Sequence, residues 1–181
     1  SIKVAGAKNA ALPLMVASLL TKEELVLTNV PHVVDISTMA NLLANLGIEI
    51  RVDGMDKEEG SMGGVLVMKS ANVDSQTAAY DLVRNIGASI LILGVLLARF
   101  GKAKVSLPGG CAIGTRPVDL HLYAMEKMGV KINLVNGYVE ASVDGKLKGA
   151  VIDFKKVSVG ATENVLMAAT LAEGVTTIKN A

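Results

Sequence analysis

The chain has 181 residues, enough for one or two small domains with a substantial buried core. Hydrophobic residues make up 51% of it, which excludes a disordered chain because so much apolar surface must be buried. Lys and Arg number 18 against 17 Asp and Glu, aromatic residues are 3% and Trp is absent, so neither charge nor stacking surface favours nucleic acid or an anionic membrane as a partner.

The counts of cysteine and histidine limit the redox compartment and the disulfides or metal sites that the chain can have. A single cysteine cannot form an internal disulfide, and His32 and His121 are too far apart in sequence to indicate a metal cluster. We therefore expect a reducing compartment, the cytoplasm, and no metal or other cofactor.

Three apolar runs, at residues 10–20, 88–98 and 165–172, mark the chain in order. The first resembles a secretory leader and the second part of a membrane span. The two are shorter than the roughly 18 to 20 residues that a span needs, and a cleavable leader has no reason to recur. All three are predicted to be buried helices.

The surroundings of these runs repeat. Each begins at a Gly-Ala pair (Gly6, Gly87 and Gly160) and is followed by a short β-rich segment, at residues 25–28, 104–107 and 175–178. An amphipathic helix comes next, starting near Asp35, with Ile36, Met39, Leu42, Leu43 and Leu46 at helical spacing; its counterpart covers residues 117–128. These second helices are predicted to stop at Gly47 and Gly129, and strands follow at residues 48–52 and 130–134.

The distance from Gly6 to Gly47 is almost the same as that from Gly87 to Gly129, which indicates an internal repeat. The sequence predicts an α/β fold of β-α-β-α-β-β units with pseudo-threefold symmetry. The repeats cover about residues 1–80 and 81–153, with part of a third at 154–181. The first helix of each unit is expected inside and the second outside, packed on a sheet.

A glycine-rich loop at residues 107–117 carries the single cysteine. Gly109, Gly110 and Gly114 around Cys111 predict an exposed thiol, and a nearby helix start together with Arg116 favours its thiolate. Pro117 suits the first turn of the following helix. The alternative is that Cys111 is an ordinary small residue.

Cations near helix starts form a second group of candidates. Lys8 and Asn9 open the first helix, where an ammonium group and free amides suit a phosphate or carboxylate. Arg116 suits forked phosphate binding, although pairing with Asp119 is the simpler reading, and Arg84 is equally ambiguous. Residues 158–160 open the third helix and suit a diphosphate.

Four stretches together resemble the enolpyruvyl transferase family, and within it the branch that acts on UDP-N-acetylglucosamine. They are GAKNAALP at 6–13, YDLVR at 80–84, ARFGKAKVSLPGGCAIGTRPVDLH at 98–121 and KVSVGATENVLMAATLAEG at 156–174. The resemblance implies an inside-out α/β barrel, with this chain matching the domain that carries the cysteine loop and a second domain missing.

The resemblance also implies roles. Cys111 is expected to donate a proton to phosphoenolpyruvate, Lys8 to contact phosphoenolpyruvate as a catalytic residue, and Asn9 to contact the sugar. Arg116 is expected to meet the phosphate of phosphoenolpyruvate as well as the nucleotide. The remaining segments expected to bind the uridine nucleotide are Pro117, Val118, Asp119 and Leu120 in one stretch and Lys156, Val157, Ser158, Val159 and Gly160 in the other.

The expected reaction transfers the enolpyruvyl group to the sugar 3-hydroxyl and releases phosphate, the first committed step of peptidoglycan synthesis and the target of fosfomycin. One departure is Gly87, where family members commonly have an arginine; Arg84 or Lys8 would then have to compensate. Two alternatives remain: a nucleotide-sugar-binding fragment without turnover, and the shikimate-pathway enolpyruvyl transferase, which lacks this cysteine loop.

Overall fold

The computed structural model describes residue 4 and residues 6–55, 61–83, 86–107 and 118–181. The chain divides into two compact units, Ser1–Ser75 and Gln76–Ala181.

The first unit joins two helices to a three-stranded sheet. Its elements are α1 (Lys8–Ala17), β1 (Glu24–Val30), α2 (Val34–Asn45), β2 (Glu49–Met55) and β3 (Gly64–Lys69). The sheet is antiparallel in the order β1-β3-β2, with both Leu25 and Ile50 opposite Met68.

Helix α2 has the predicted one-sided character. The five apolar residues that define its stripe are all buried, namely Ile36, Met39, Leu42, Leu43 and Leu46. The helix then stops at Gly47, whose φ of 99° is in the left-handed region that glycine adopts without strain. A side chain there would also meet the backbone of Asn72 and Asp74, so this stop depends on glycine.

The second unit contains one complete β-α-β-α-β-β series. Its elements are β4 (Thr77–Ala78), α3 (Tyr80–Val83), a 3₁₀ turn (Gly87–Ile90) continuing into α4 (Leu91–Phe100), β5 (Lys102–Ser106), α5 (Asp119–Lys127), β6 (Lys131–Val135) and β7 (Tyr138–Ser142). The sheet order is β4-β5-β7-β6; β4 and β5 are parallel and the other pairs antiparallel.

A shorter series follows in the same unit: β8 (Val151–Asp153), α6 (Val159–Ala169) and β9 (Thr177–Lys179), with β8 parallel to β9. This is a β-α-β crossover, the opening half of the same series. The mixed α/β class and the order of elements are therefore as predicted, while the three repeat boundaries stay a prediction.

Among the described residues, the three first helices differ in how fully they are buried. Only α4 is buried all round, from Leu91 to Leu97, whereas Leu14 of α1 is 50% exposed and Leu166 of α6 is 55% exposed. Helix α4 lies against both α6 and β5, so it is covered on more than one side. Helix α5 begins at Asp119 with Val118 as its N-cap, and Pro117 lies outside the described residues.

The structure also shows a repeated asparagine that the sequence patterns missed. Asn29, near the end of β1, and Asn180, directly after β9, both have φ of 53°. The Asn29 side chain donates to the Val4 carbonyl, and that of Asn180 donates to the Phe154 carbonyl. Both residues thus join the end of a strand to the segment preceding the helix.

Within the described ranges, every helix falls short of the length and apolarity that crossing a bilayer requires.

Candidate functional site

Four of the candidate residues, Arg84, Cys111, Arg116 and Pro117, lie outside the described residues. Of the other candidates, Lys8 and Asn9 belong to the first unit, and Gly87 and the two nucleotide segments belong to the second.

The N-terminus of α1 presents the predicted combination of amides and a cation. Ala7 is the N-cap and its carbonyl accepts the first helical bonds, from the amides of Ala10 and Ala11. The amides of Lys8 and Asn9 precede those bonds and so have no partner within the helix. Both side chains are exposed. This end of α1 can therefore bind an anion by its amides and by the Lys8 ammonium group.

The Lys8 ammonium group has a carboxylate partner that the sequence did not suggest. Its Nζ lies 2.6 Å from Oδ2 of Asp35, and the two side chains are 46% and 34% exposed. Asp35 stands in the first turn of α2, where the helix dipole favours a carboxylate. An anion arriving at α1 therefore competes with Asp35 for Lys8.

The N-terminus of α6 presents a second set of amides. Ser158 caps this helix: its Oγ accepts from the Ala161 amide at 3.3 Å, and its carbonyl accepts from the Thr162 amide at 3.0 Å. The amides of Val159 and Gly160 precede these bonds and stay available to a ligand. Lys156, Val157 and Val159 are exposed, so the segment is open to solvent.

His121 lies between the two segments of the second unit that are predicted to bind the nucleotide, residues 118–120 and 156–160. This residue follows Leu120 in the first turn of α5, and its ring lies against the first turn of α6. A Cβ built on Gly160 would lie 3.5 Å from Cε1 and 3.6 Å from Nε2 of that ring. The structure therefore places the start of α5 beside the start of α6, as a shared ligand would require.

His121 belongs to a buried polar network. Its Nδ1 lies 3.0 Å from Nδ2 of Asn164, whose Oδ1 accepts from the Gly94 amide at 3.0 Å. The same Nδ2 lies 3.3 Å from the Ile90 carbonyl. Asn164 therefore connects α5, α6 and the junction between the 3₁₀ turn and α4.

Burial perturbs two ionisable groups beside this network. It lowers the pKa of His121 from 6.5 to about 4, against a smaller opposing effect of Asp119, so the imidazole is neutral at pH 7. Burial also raises the pKa of Glu163, in the second turn of α6. Neither effect is typical of an exposed surface.

Gly87 stands at the first position of the 3₁₀ turn that leads into α4, after the N-cap Ile86. It is half-buried. The turn leads directly into the buried helix α4.

One cavity of the first unit has none of the candidate residues in its lining. It is a groove of about 520 Å³ between α2 and the first sheet, lined by residues such as Val34, Ile50 and Leu66. Among the described residues, no group of three or more histidines, cysteines and carboxylates is arranged to hold a metal ion.

Sequence reasoning missed Asp35, Asn164, His121 and Gly94 as part of these sites. Gly94 offered a signal, because a glycine inside a buried apolar helix often marks a close approach of another backbone. A Cβ there would lie 2.2 Å from Oδ1 of Asn164. The other three residues act through contacts distant in sequence, for which no local pattern exists.

Solved structures define the class of fold. The chain superposes on the enolpyruvyl transferase NikO from Streptomyces tendae with a TM-score of 0.79 and 20% identity, covering 98% of this chain and 40% of that one. An EPSP synthase from Acinetobacter baumannii gives a TM-score of 0.69 and 18% identity, covering 98% and 39%. The fold is therefore that of the enolpyruvyl transferases.

The family follows from the sequence. The family model described as EPSP synthase (3-phosphoshikimate 1-carboxyvinyltransferase) matches residues 1–181, and the chain belongs to this family. Curated relatives named UDP-N-acetylglucosamine 1-carboxyvinyltransferase are 61% identical in Paramagnetospirillum magneticum and 58% identical in Rhodospirillum centenum, each across the whole chain. The chain spans 42% of the length of each.

Proposed function

We propose that this chain forms the cysteine-loop part of a UDP-N-acetylglucosamine 1-carboxyvinyltransferase. The complete reaction transfers the enolpyruvyl group of phosphoenolpyruvate to the 3-hydroxyl of UDP-N-acetylglucosamine and releases phosphate, in the bacterial cytoplasm and at the start of peptidoglycan synthesis. The observation that carries this proposal is identity of 51–61% over essentially the whole chain to relatives of that name.

The described geometry supports the assignment of the nucleotide. The first turns of α5 and α6 lie side by side, and the amides of Val159 and Gly160 are available at a helix N-terminus, which suits a diphosphate. Asn9 at the start of α1 is assigned to the sugar, following the resemblance of its segment.

The chemistry is assigned to three residues. Cys111 donates the proton that C3 of phosphoenolpyruvate takes up as the sugar hydroxyl adds to C2, and a thiol whose pKa is near the working pH suits this step. The adduct then loses phosphate from C2 and a proton from C3, which restores the double bond. Lys8 and Arg116 neutralise the phosphate and carboxylate. Lys8 must exchange Asp35 for the substrate anion when phosphoenolpyruvate binds. No metal or redox cofactor takes part in this scheme.

The chain alone is expected to lack turnover, because the base for the sugar hydroxyl is assigned to the second domain. Substrate binding can therefore be measured separately from turnover.

A test of the assigned substrate uses alkylation of Cys111 by iodoacetamide, read by mass spectrometry. UDP-N-acetylglucosamine is expected to slow labelling, and shikimate 3-phosphate to leave it unchanged. Protection by shikimate 3-phosphate alone would move the assignment to the shikimate-pathway enzyme.

A second candidate function is nucleotide-sugar binding without chemistry. One observation favours it: position 87 holds glycine where the family resemblance leads us to expect a cation. Calorimetry separates the candidates. Under the main proposal, bound UDP-N-acetylglucosamine creates a site for phosphoenolpyruvate, whereas a pure nucleotide-sugar binder shows no heat from added phosphoenolpyruvate.

A further inference from the structure

His121 is the most deeply buried ionisable side chain of the second unit's helix junction, with 7% of its surface exposed. It lies between α5, which carries it, and α6, which contributes both Asn164 and Gly160. Burying a histidine for packing alone is energetically unfavourable, since its ring nitrogens need hydrogen-bond partners.

The hydrogen bonds fix the orientation of Asn164. Oδ1 must be the acceptor, because the group facing it is the Gly94 amide. Nδ2 is then the donor that reaches the Ile90 carbonyl and Nδ1 of His121. His121 therefore accepts on Nδ1 and carries its proton on Nε2.

The other edge of the ring faces the start of α6. A Cβ built on Gly160 would be in ordinary van der Waals contact with Cε1 and Nε2, so this edge of the ring packs against the first turn of α6. An imidazolium here would stand beside the positive end of the α6 dipole, so a neutral ring fits better. The ring thus packs between the first turns of α5 and α6.

We propose that His121 is a positioning residue: held by Asn164 through Nδ1 and seated on Gly160, it keeps residues 118–120 beside the first turn of α6, so that both segments bind the same nucleotide. The proposal rests on the proposed function, since it concerns the UDP part of that substrate. It adds His121, Asn164 and Gly160 as a unit that acts through geometry and not through contact with the reacting atoms.

Two substitutions separate positioning from direct contact. In His121→Asn, the amide oxygen occupies the place of Nδ1 and can accept from Asn164. In His121→Gln, the amide reaches the place of Nε2 and loses that acceptor. His32→Gln, in the first unit, is the matched control. Calorimetric titration of the 181-residue chain with UDP-N-acetylglucosamine at pH 7.5 gives the affinity, and far-UV circular dichroism reports folding.

Positioning predicts that His121→Asn binds within about threefold of the parent chain, that His121→Gln binds at least about tenfold more weakly, and that the control is unchanged. Amide hydrogen exchange should rise at residues 159–162 in the Gln variant and stay unchanged in the Asn variant. The proposal is overturned if the variants bind alike, if Gln binds better than Asn, or if the Asn variant fails to fold. Absence of binding by the folded parent chain would refute the proposed function itself, and the positioning role with it.

Discussion

Protonation of His121 links the helix junction to pH. Burial lowers its folded pKa to about 4, whereas the unfolded value is 6.5, so the unfolded chain binds this proton first as the pH falls. The neutral His121 side chain therefore contributes fully to the free energy of unfolding above about pH 6.5, and this contribution is lost as the pH falls toward 4. We predict a loss of about 3 kcal/mol in the free energy of unfolding at pH 4, measured by urea denaturation.

Carboxylates also titrate in this range, so the comparison needs a variant that lacks only the imidazole. His121→Asn removes the titrating ring and keeps an acceptor for Asn164. The difference between the parent chain and this variant should shrink as the pH falls from 7 to 4. A constant difference across that range would show that the His121 pKa is not lowered by folding.

Asp35 holds Lys8 at the surface, and its removal should affect binding more than folding. The pair is partly exposed, so Asp35→Asn is expected to change the free energy of unfolding by at most about 1 kcal/mol. Phosphoenolpyruvate, added with UDP-N-acetylglucosamine, should bind more tightly because no carboxylate competes for the ammonium group. Glu24→Gln, on β1, is the control. Weaker binding in Asp35→Asn would mean that Asp35 aligns Lys8 and does not compete for it.

At the scale of elements, the packing of α4 on α6 depends on Gly94. A Cβ at this position would lie 2.2 Å from Oδ1 of Asn164 and 2.9 Å from its carbonyl oxygen. Gly94→Ala should therefore destabilise the chain by about 1 to 3 kcal/mol, measured by urea denaturation. In an Asn164→Ala background, Gly94→Ala should lower the free energy of unfolding by a smaller amount, because Oδ1 of Asn164, the nearer oxygen, has been removed. Equal costs in both backgrounds would contradict this contact.

The turn before α4 offers a gain-of-function test. Gly87→Arg introduces the cation that the family resemblance leads us to expect at this position, and we expect it to tighten phosphoenolpyruvate binding about tenfold, as one charge-assisted hydrogen bond would. Gly87→Met is the control for size without charge. The measurement is calorimetry in the presence of UDP-N-acetylglucosamine. Equal affinities for the Arg and Met variants would remove position 87 from the anion site.

Local sequence patterns predicted the features that depend on residue spacing and backbone conformation, namely a helix and two helix ends. The spacing of Met39, Leu42 and Leu43 located α2 because a helix buries one stripe, and Gly47 and Gly129 marked the helix ends because both adopt positive φ. The sequence pattern gave this second helix as residues 117–128, whereas α5 is Asp119–Lys127 with Val118 as its N-cap. Boundaries of this kind depend on tertiary packing.

Long-range contacts had no sequence signal. Lys8 and Ser158 were recognised as residues at helix starts, and the structure places both there. The pairing of Lys8 with Asp35, and of His121 with Asn164, joins residues from different helices and follows only from the fold. The helices therefore follow from composition and period, while the electrostatic partners of the site do not.

At the scale of the whole molecule, the fold and family are established over all 181 residues, but the chain spans 42% of its relatives. A test of the proposed reaction is therefore best made in a protein of the relatives' full length. Because identity to the Paramagnetospirillum magneticum relative is 61%, these residues should replace the matching stretch of that protein without loss of folding.

That replacement provides the most direct test of the central claim, that this chain carries the cysteine-dependent half of an enolpyruvyl transfer to UDP-N-acetylglucosamine. The measurement is phosphate release by the hybrid protein supplied with phosphoenolpyruvate. We predict release that requires UDP-N-acetylglucosamine and falls about 100-fold or more in Cys111→Ala. A folded hybrid that releases no phosphate, or releases it equally well with alanine at position 111, would contradict the claim.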